Sequence, residues 1–306
     1  LIALKEAYEP NNYIPPQDPV PPRTPREKFA ANITAIRTLK SIEKRMADGG
    51  PHANGEEQEI LAQYSGWGGL SDAFEPNKDS WHSEYTELKS LLTEEEYAAA
   101  RSSTLTAFYT PPEVIDAMYT TLRKMGVGAG TILEPSMGAG AFFGQSHSYL
   151  YEPTTRLFGV ELDSLTGRIA RQLYQKANIQ ITGFEKADLP DSFFDVVIGN
   201  VPFGDYSVVD PQYNRLHFKI HDYFFAKSID KLRTGGIIAF ITTSGTLDKK
   251  SEEVRRYINA RCDFIGAVRL PDSTFKSAGT KAMADIIFLQ KRDRILEQDA
   301  SWLHTT

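Results

Sequence analysis

The chain is 306 residues long and 41% hydrophobic, which fits one large α/β domain with a smaller appendage. Its net charge of −6 runs against a protein that grips a nucleic-acid backbone unaided. The single cysteine, Cys262, excludes an internal disulfide and a cysteine-based zinc site, and no apolar run approaches a membrane span, so a reducing, cytoplasmic setting is expected. The first residues, Leu1 to Glu6, carry neither an initiator methionine nor the layout of a secretion signal and read as part of a longer polypeptide.

Seven prolines between Pro10 and Pro25 exclude helix and predict an extended arm over residues 1–25. Thr24-Pro25-Arg26-Glu27 then reads as a capping box, with Phe29, Ile33, Ile36, Leu39, Ile42 and Met46 following at helical spacing and Gly49-Gly50 ending the helix. A second helix is predicted over Glu56 to Gln63. A third, capped by Thr93-Glu94-Glu95-Glu96, runs to about Arg101, so residues 26–103 form a mostly helical extension. Between these helices, Tyr64-Ser65-Gly66-Trp67-Gly68-Gly69-Leu70 is too rich in glycine to be chosen for stability alone. Trp67 either plugs an interdomain seam or rides on a loop that closes over a ligand.

From Thr104 the pattern changes to β-branched runs alternating with helical stretches, the signal of a parallel sheet with crossover helices. Strands are predicted at Thr131 to Glu134, Leu157 to Glu161, Ile179 to Ile181, Asp195 to Ile198, Ile237 to Thr242, Phe264 to Arg269 and Asp285 to Gln290. They make one doubly wound α/β domain over residues 104–292, with 293–306 as a tail toward further regions.

Two turns carry chemistry. Leu133-Glu134-Pro135-Ser136-Met137-Gly138-Ala139-Gly140 joins the first strand to a helix through glycines that let backbone approach a ligand. The third glycine of a dinucleotide turn is replaced by Phe143, and the leading acid Glu134 suits a cationic ligand such as the amino and sulfonium groups of S-adenosylmethionine. Asp195-Val196-Val197-Ile198-Gly199-Asn200-Val201-Pro202-Phe203-Gly204 runs a strand into a turn offering one amide, one carbonyl and one aromatic face. That trio suits a planar amine: Asn200 and the Val201 carbonyl accept its two hydrogens while Phe203 stacks on the ring bearing it. Upstream, Tyr109-Thr110-Pro111-Pro112 opens a helix with Thr110 as cap and Pro111 at the first helical position, a site apt for a carboxylate.

Thr110-Pro111-Pro112, Glu134 to Gly140, Glu161-Leu162-Asp163 and Asn200-Val201-Pro202-Phe203 occur in the order and approximate spacing of the amino-methyltransferases that modify adenine N6 in DNA, a resemblance covering roughly residues 104 to 292. Gly66-Trp67-Gly68-Gly69 and the Gly199 to Gly204 variant resemble more narrowly the methylase region of large methylase-helicase fusions of phages and conjugative elements. The resemblance implies a seven-stranded, Rossmann-like S-adenosylmethionine-dependent methyltransferase domain acting on a flipped base of double-stranded DNA. Helicase or target-recognition regions would lie elsewhere in the polypeptide, in a restriction-modification or anti-restriction setting. It places Thr110 on the cofactor carboxylate, Glu134 and Gly138 along its methionine part, Glu161 on the ribose hydroxyls and Leu162 on the adenine, with Tyr109, Ser136, Gly140 and Phe184 as further cofactor contacts. Glu185, with Asp188 as second choice, takes the adenine amine. Asn200, Val201, Pro202 and Phe203 would be catalytic, and Phe275, in a loop with Gly279-Thr280-Lys281, either flanks the target base or packs in the core.

This chain departs from the group's Asn-Pro-Pro-aromatic pattern at Val201, which frees φ and adds an N–H, a change expected to loosen the turn. Two alternatives follow: an inactive cofactor-binding module of a helicase-type machine, and a protein glutamine N-methyltransferase, since a side-chain amide is also a planar NH2. His217 and His221 share one face if helical but lack a third ligand, so no metal site is expected. Ser244 lacks a nucleophile elbow. Lys249-Lys250 and Arg255-Arg256, interleaved with Glu252-Glu253, read as a solvated helix face.

Overall fold

The computed structural model describes residues 9–16, 23–104, 109–275 and 283–304. The prolines from Pro19 to Pro22 and the Gly279-Thr280-Lys281 segment lie outside them. Helix α1 (Pro25–Ala47) opens on the expected capping box, Thr24 accepting the Glu27 N–H and Glu27 accepting the Thr24 N–H, and buries Phe29, Ile33, Ile36, Leu39 and Ile42 along one stripe. Helix α2 (Gly55–Leu61) has its own box at Asn54 and Glu57. Helix α3 (His82–Leu91) adds to the predicted elements: no side chain caps it, Leu88 is its fully buried residue, and Tyr85 and Leu91 are half-buried beside it. Helix α4 (Glu94–Ser103) begins behind Thr93 as the sequence predicts.

Helix α5 (Pro112–Lys124) corrects one expectation. Pro111 is the cap residue with ψ 139°, and no side chain caps the helix. A residue preceding proline is driven out of the α region, so Pro112, not Pro111, takes the first helical position and Thr110 is left outside.

The remaining elements are β1 (Thr131–Glu134), α6 (Ala141–Ser146), β2 (Arg156–Glu161), α7 (Ser164–Leu173), β3 (Asn178–Ile181), β4 (Phe194–Asn200), α8 (Ile220–Lys231), β5 (Leu232–Thr243), α9 (Gly245–Asp248), α10 (Glu253–Arg261), β6 (Cys262–Arg269) and β7 (Ala284–Lys291). The sheet order is β3-β2-β1-β4-β5-β7-β6. Strands β1 to β5 pair parallel, but β7 lies antiparallel between β5 and β6, so the sheet is mixed rather than all parallel. Apolar alternation reports burial and not direction. The β6–β7 link carries no helix among its described residues, and a chain returning without a crossover helix pairs antiparallel.

Alternate residues of β5 divide between the faces: Ile237, Ala239 and Ile241 pack with α5, while Ile238 and Phe240 pack with α8 and α10. A third cluster joins α1 and α2 to α7, so the extension shares a core with the sheet domain. Polar ties reinforce it. The buried Gln58 amide donates to the Gln172 and Leu173 carbonyls at 2.9 and 3.2 Å, Arg168 pairs with Glu43 at 2.9 Å and with Glu96, and the arm's Tyr13 N–H donates to the Leu173 carbonyl.

Two surface expectations are also corrected. His217 precedes α8 in a left-handed conformation, so it does not share a helical face with His221. Arg255 is fully buried, donating to the carbonyls of Leu247, Lys249 and Leu303. The last of these bonds belongs to the tail, which returns over α10 and stacks Trp302 on Phe264 at 4.5 Å. No described helix is long and apolar enough to cross a membrane. Strand order reverses between β1 and β4, and the crevice beyond their carboxyl ends is where an open α/β sheet binds its ligand.

Candidate active site

Both chemical turns leave the sheet at this crevice. Strand β1 ends at Glu134 and β4 at Asn200, on neighbouring parallel strands. The Ser136 hydroxyl donates to the Asn200 carbonyl at 3.0 Å, and the Asn200 amide donates to the Thr110 hydroxyl at 3.3 Å. A methyl group on Gly199 would stand 3.4 Å from Cγ of Glu134. Residues from three separate parts of the chain thus meet at one point. Thr110, 8% exposed, serves as a partner of Asn200 instead of a helix cap.

Val201 does not loosen the turn. Its N–H, which a proline would lack, donates to the Ile241 carbonyl of β5 at 3.0 Å, and its side chain is buried in the core under α8. A ladder hydrogen bond replaces the ring constraint. Phe203 is half-buried, touching the clusters on both faces of the sheet.

The acids line the other side of the crevice. Glu161, ending β2, accepts the Gly138 N–H on one carboxylate oxygen and the Asp163 N–H on the other, both at 2.8 Å. Burial pushes its carboxyl up to about 7 against the pull of those backbone donors, with the Asp163 charge adding to the rise. Glu134 is 2% exposed, and burial and then the Glu161 charge hold its carboxyl well above the usual carboxylate range. Its Oε2 has no hydrogen-bond partner among the described residues. A buried acceptor facing a glycine turn, with a second acid alongside, fits a ligand that brings a cation and hydroxyl donors.

The other predicted residues distribute unevenly. Tyr109 is half-buried against Gly138, and Leu162 projects at 76% exposure from the end of β2, an apolar side chain at the lip of the crevice. Phe184 is buried against Phe224 at 5.0 Å, in the core behind the site. The Glu185 carboxylate folds back over Gly183 while its carbonyl accepts from Lys227 at 3.0 Å; Asp188 is exposed, its backbone bonded to Gln180. Phe275 is 2% exposed within the core on the α5 face, the packing position of its two expected roles. Lys227 carried no signal in sequence. Its buried ammonium joins the Glu185 carbonyl to Asp210 at 3.0 Å, linking the loops after β3 and β4.

The strand order, the antiparallel β7 and the turns at the ends of β1, β2 and β4 define a class I S-adenosylmethionine-dependent methyltransferase fold. A Listeria monocytogenes structure described as a methyltransferase of that class superposes with a TM-score of 0.52 at 17% identity, covering 90% of each chain. The methyltransferase subunit of a type I restriction-modification system from Streptococcus thermophilus superposes with 0.51 at 18% identity, over 85% of this chain and 66% of that one. The chain belongs to the N-6 DNA methylase family, which matches residues 91–303. Defense against restriction protein B of Escherichia phage P1 is 26% identical over 285 residues, and this chain spans 91% of its own length but 11% of that protein's. Family membership implies S-adenosylmethionine as methyl donor.

Proposed function

We propose that this chain transfers a methyl group from S-adenosylmethionine to the N6 amine of adenine in DNA. The observation that carries the reading is the juxtaposition of Asn200 with Ser136 and Glu134 across the β1–β4 crevice. The bound cofactor supplies an electrophilic methyl on a sulfonium. Thr110, Glu134, Ser136, Gly138 and Gly140 would hold its methionine part, Glu161 its ribose, and Leu162, with Glu185 or Asp188, its adenine.

The amine's lone pair is delocalised into the purine ring. Asn200 and the Val201 carbonyl, accepting its two hydrogens, localise that pair for in-line attack, so orientation provides most of the acceleration. Phe203 stacks on the extruded base and stabilises its developing positive charge through its π face. No strong base is needed, because the methylated ammonium is acidic and releases its extra proton to water. The chain is acidic, with a charge of −6, so we assign the main grip on DNA and the choice of target sequence to other parts of a longer polypeptide.

The test is incubation of the chain with methyl-labelled S-adenosylmethionine and DNA free of N6-methyladenine, followed by digestion to nucleosides. Label in N6-methyl-2′-deoxyadenosine is expected at low salt and saturating DNA, where a weak grip does not limit transfer, and label on protein glutamine or in no product under those conditions overturns the reading. Asn200→Ala should lower transfer by at least ~10³-fold while cofactor affinity changes within about threefold, since Asn200 is assigned to the amine. Equal loss of both would move Asn200 to the cofactor.

A further inference from the structure

The Tyr64 to Leu70 segment is the one motif the reaction leaves unused. Packing explains Trp67: it is 1% exposed, meets Phe74 edge-on at 5.3 Å, and lies 6.3 Å from both Phe29 and Tyr64. Gly66 is different. It holds φ at +65°, and one fully buried amide clamps its turn: Asn32 donates to the Gly66 carbonyl at 2.6 Å and accepts the Ser65 N–H at 2.9 Å.

What stands against this turn is Tyr109. A Cβ on Gly66 would lie 3.0 Å from Cε2 of the tyrosine ring, and a Cβ on Gly138 would lie 3.9 Å from Cε1. The ring therefore spans two left-handed glycines, one from the helical extension and one from the turn after β1, and the Gly138 N–H is the group bonded to Glu161. Tyr64, just before the turn, lies 3.3 Å from the Thr166 hydroxyl, which in turn donates to Asp163, the residue whose N–H holds the other oxygen of Glu161. The ring is rigid, so displacement of its Cε2 edge at Gly66 is carried to its Cε1 edge at Gly138 by rotation about χ1 and χ2.

We propose that the Asn32-clamped Ser65–Gly66 turn is a wall of the cofactor site: it fixes how far the Tyr109 ring stands from the Gly138 turn and thereby sets the affinity for the methionine end of the cofactor. This rests on the assignment of the Glu134 to Gly140 turn to S-adenosylmethionine. The helical extension is then part of the binding site, and glycine at 66 matters because a Cβ there, 3.0 Å from the ring, pushes it toward Gly138.

Titration calorimetry of the whole chain with S-adenosylhomocysteine tests this in five proteins: unaltered, Gly66→Ala, Gly66→Asn, Tyr109→Ala and the Gly66→Ala/Tyr109→Ala pair. Gly66→Ala should weaken binding about tenfold, the equivalent of ~1.4 kcal/mol. In the Tyr109→Ala background the same substitution should change affinity less than about twofold, because the ring that transmits it is gone. Gly66→Asn tolerates the left-handed backbone yet carries a Cβ, so it should weaken binding at least as much as Gly66→Ala, with the melting temperature of each variant showing that it remains folded at the assay temperature. Wild-type affinity in both Gly66 variants, or an equal effect of Gly66→Ala in both backgrounds, overturns the proposal. An unaltered chain that fails to bind S-adenosylhomocysteine overturns the cofactor assignment beneath it and the proposal with it.

Discussion

Replacing Glu161 with Gln probes the electrostatics of the crevice. In the folded chain Glu161 keeps its proton up to about pH 7. In the unfolded chain it titrates at the ordinary glutamate value of ~4.3. Between those two values the native state binds the extra proton, so this group's contribution to stability is fully present below about pH 4 and falls as pH rises, by at most ~1.4 kcal/mol per pH unit, until the folded group ionises near 7. Glutamine carries no titration. It keeps one oxygen for one of the two backbone donors, Gly138 or Asp163, and turns an NH2 toward the other, at a constant cost of roughly 1–2 kcal/mol. Urea unfolding across pH 5 to 7.5 should therefore show the unaltered chain losing ~2–3 kcal/mol more than Glu161→Gln over the same interval. At pH 8 the variant should bind S-adenosylhomocysteine at least ~tenfold more weakly, since an ionised carboxylate is the better acceptor for ribose hydroxyls. Parallel pH profiles for the two proteins would refute the burial argument.

Three further outcomes follow from packing and charge. Trp67→Ala removes a ring enclosed by Phe29, Tyr64 and Phe74 and should destabilise the chain by ~3–5 kcal/mol, read from the urea midpoint; a loss under about 1 kcal/mol would mean the indole is not a plug. Lys227→Met leaves the Asp210 carboxylate, 8% exposed at its side chain, without its cation and should cost ~3–5 kcal/mol, most of which Asp210→Asn in the same chain restores. If the double variant is as unstable as the sum of the singles, the pair is not coupled. Cofactor affinity of the unaltered chain should decline as pH falls below about 7, by up to ~tenfold per unit, because Glu161 must give up a proton to accept from the ribose; flat affinity from pH 8 to 6 would remove Glu161 from the site.

Local chemistry made much of the architecture readable. Each predicted strand is present because β-branched runs bounded by turns have few other structures open to them, and α1 and α4 begin where their capping boxes place them. Several residues whose role was misread have a distant partner that decides it. Thr110 looks like a cap and is the partner of Asn200; Arg255 looks solvated and is sealed by three carbonyls; Val201 looks like a loosened proline and is pinned by β5. Helix α3 lacks a side-chain cap and carries only a short stripe of Tyr85, Leu88 and Leu91, so the packed neighbours define it.

The order of residues along the chain was enough to set the elements, the two turns at the carboxyl ends of β1 and β4, and the chemical character each presents, because backbone propensity and side-chain type act over a few residues. Only the folded arrangement decided that β7 runs antiparallel and that Glu134 and Glu161 share one buried crevice. It also decided that a glycine in the helical extension touches the tyrosine beside the β1 turn. Strand direction, desolvation and contact across dozens of residues depend on which surfaces exclude water together, and that is a property of the packed chain as a whole.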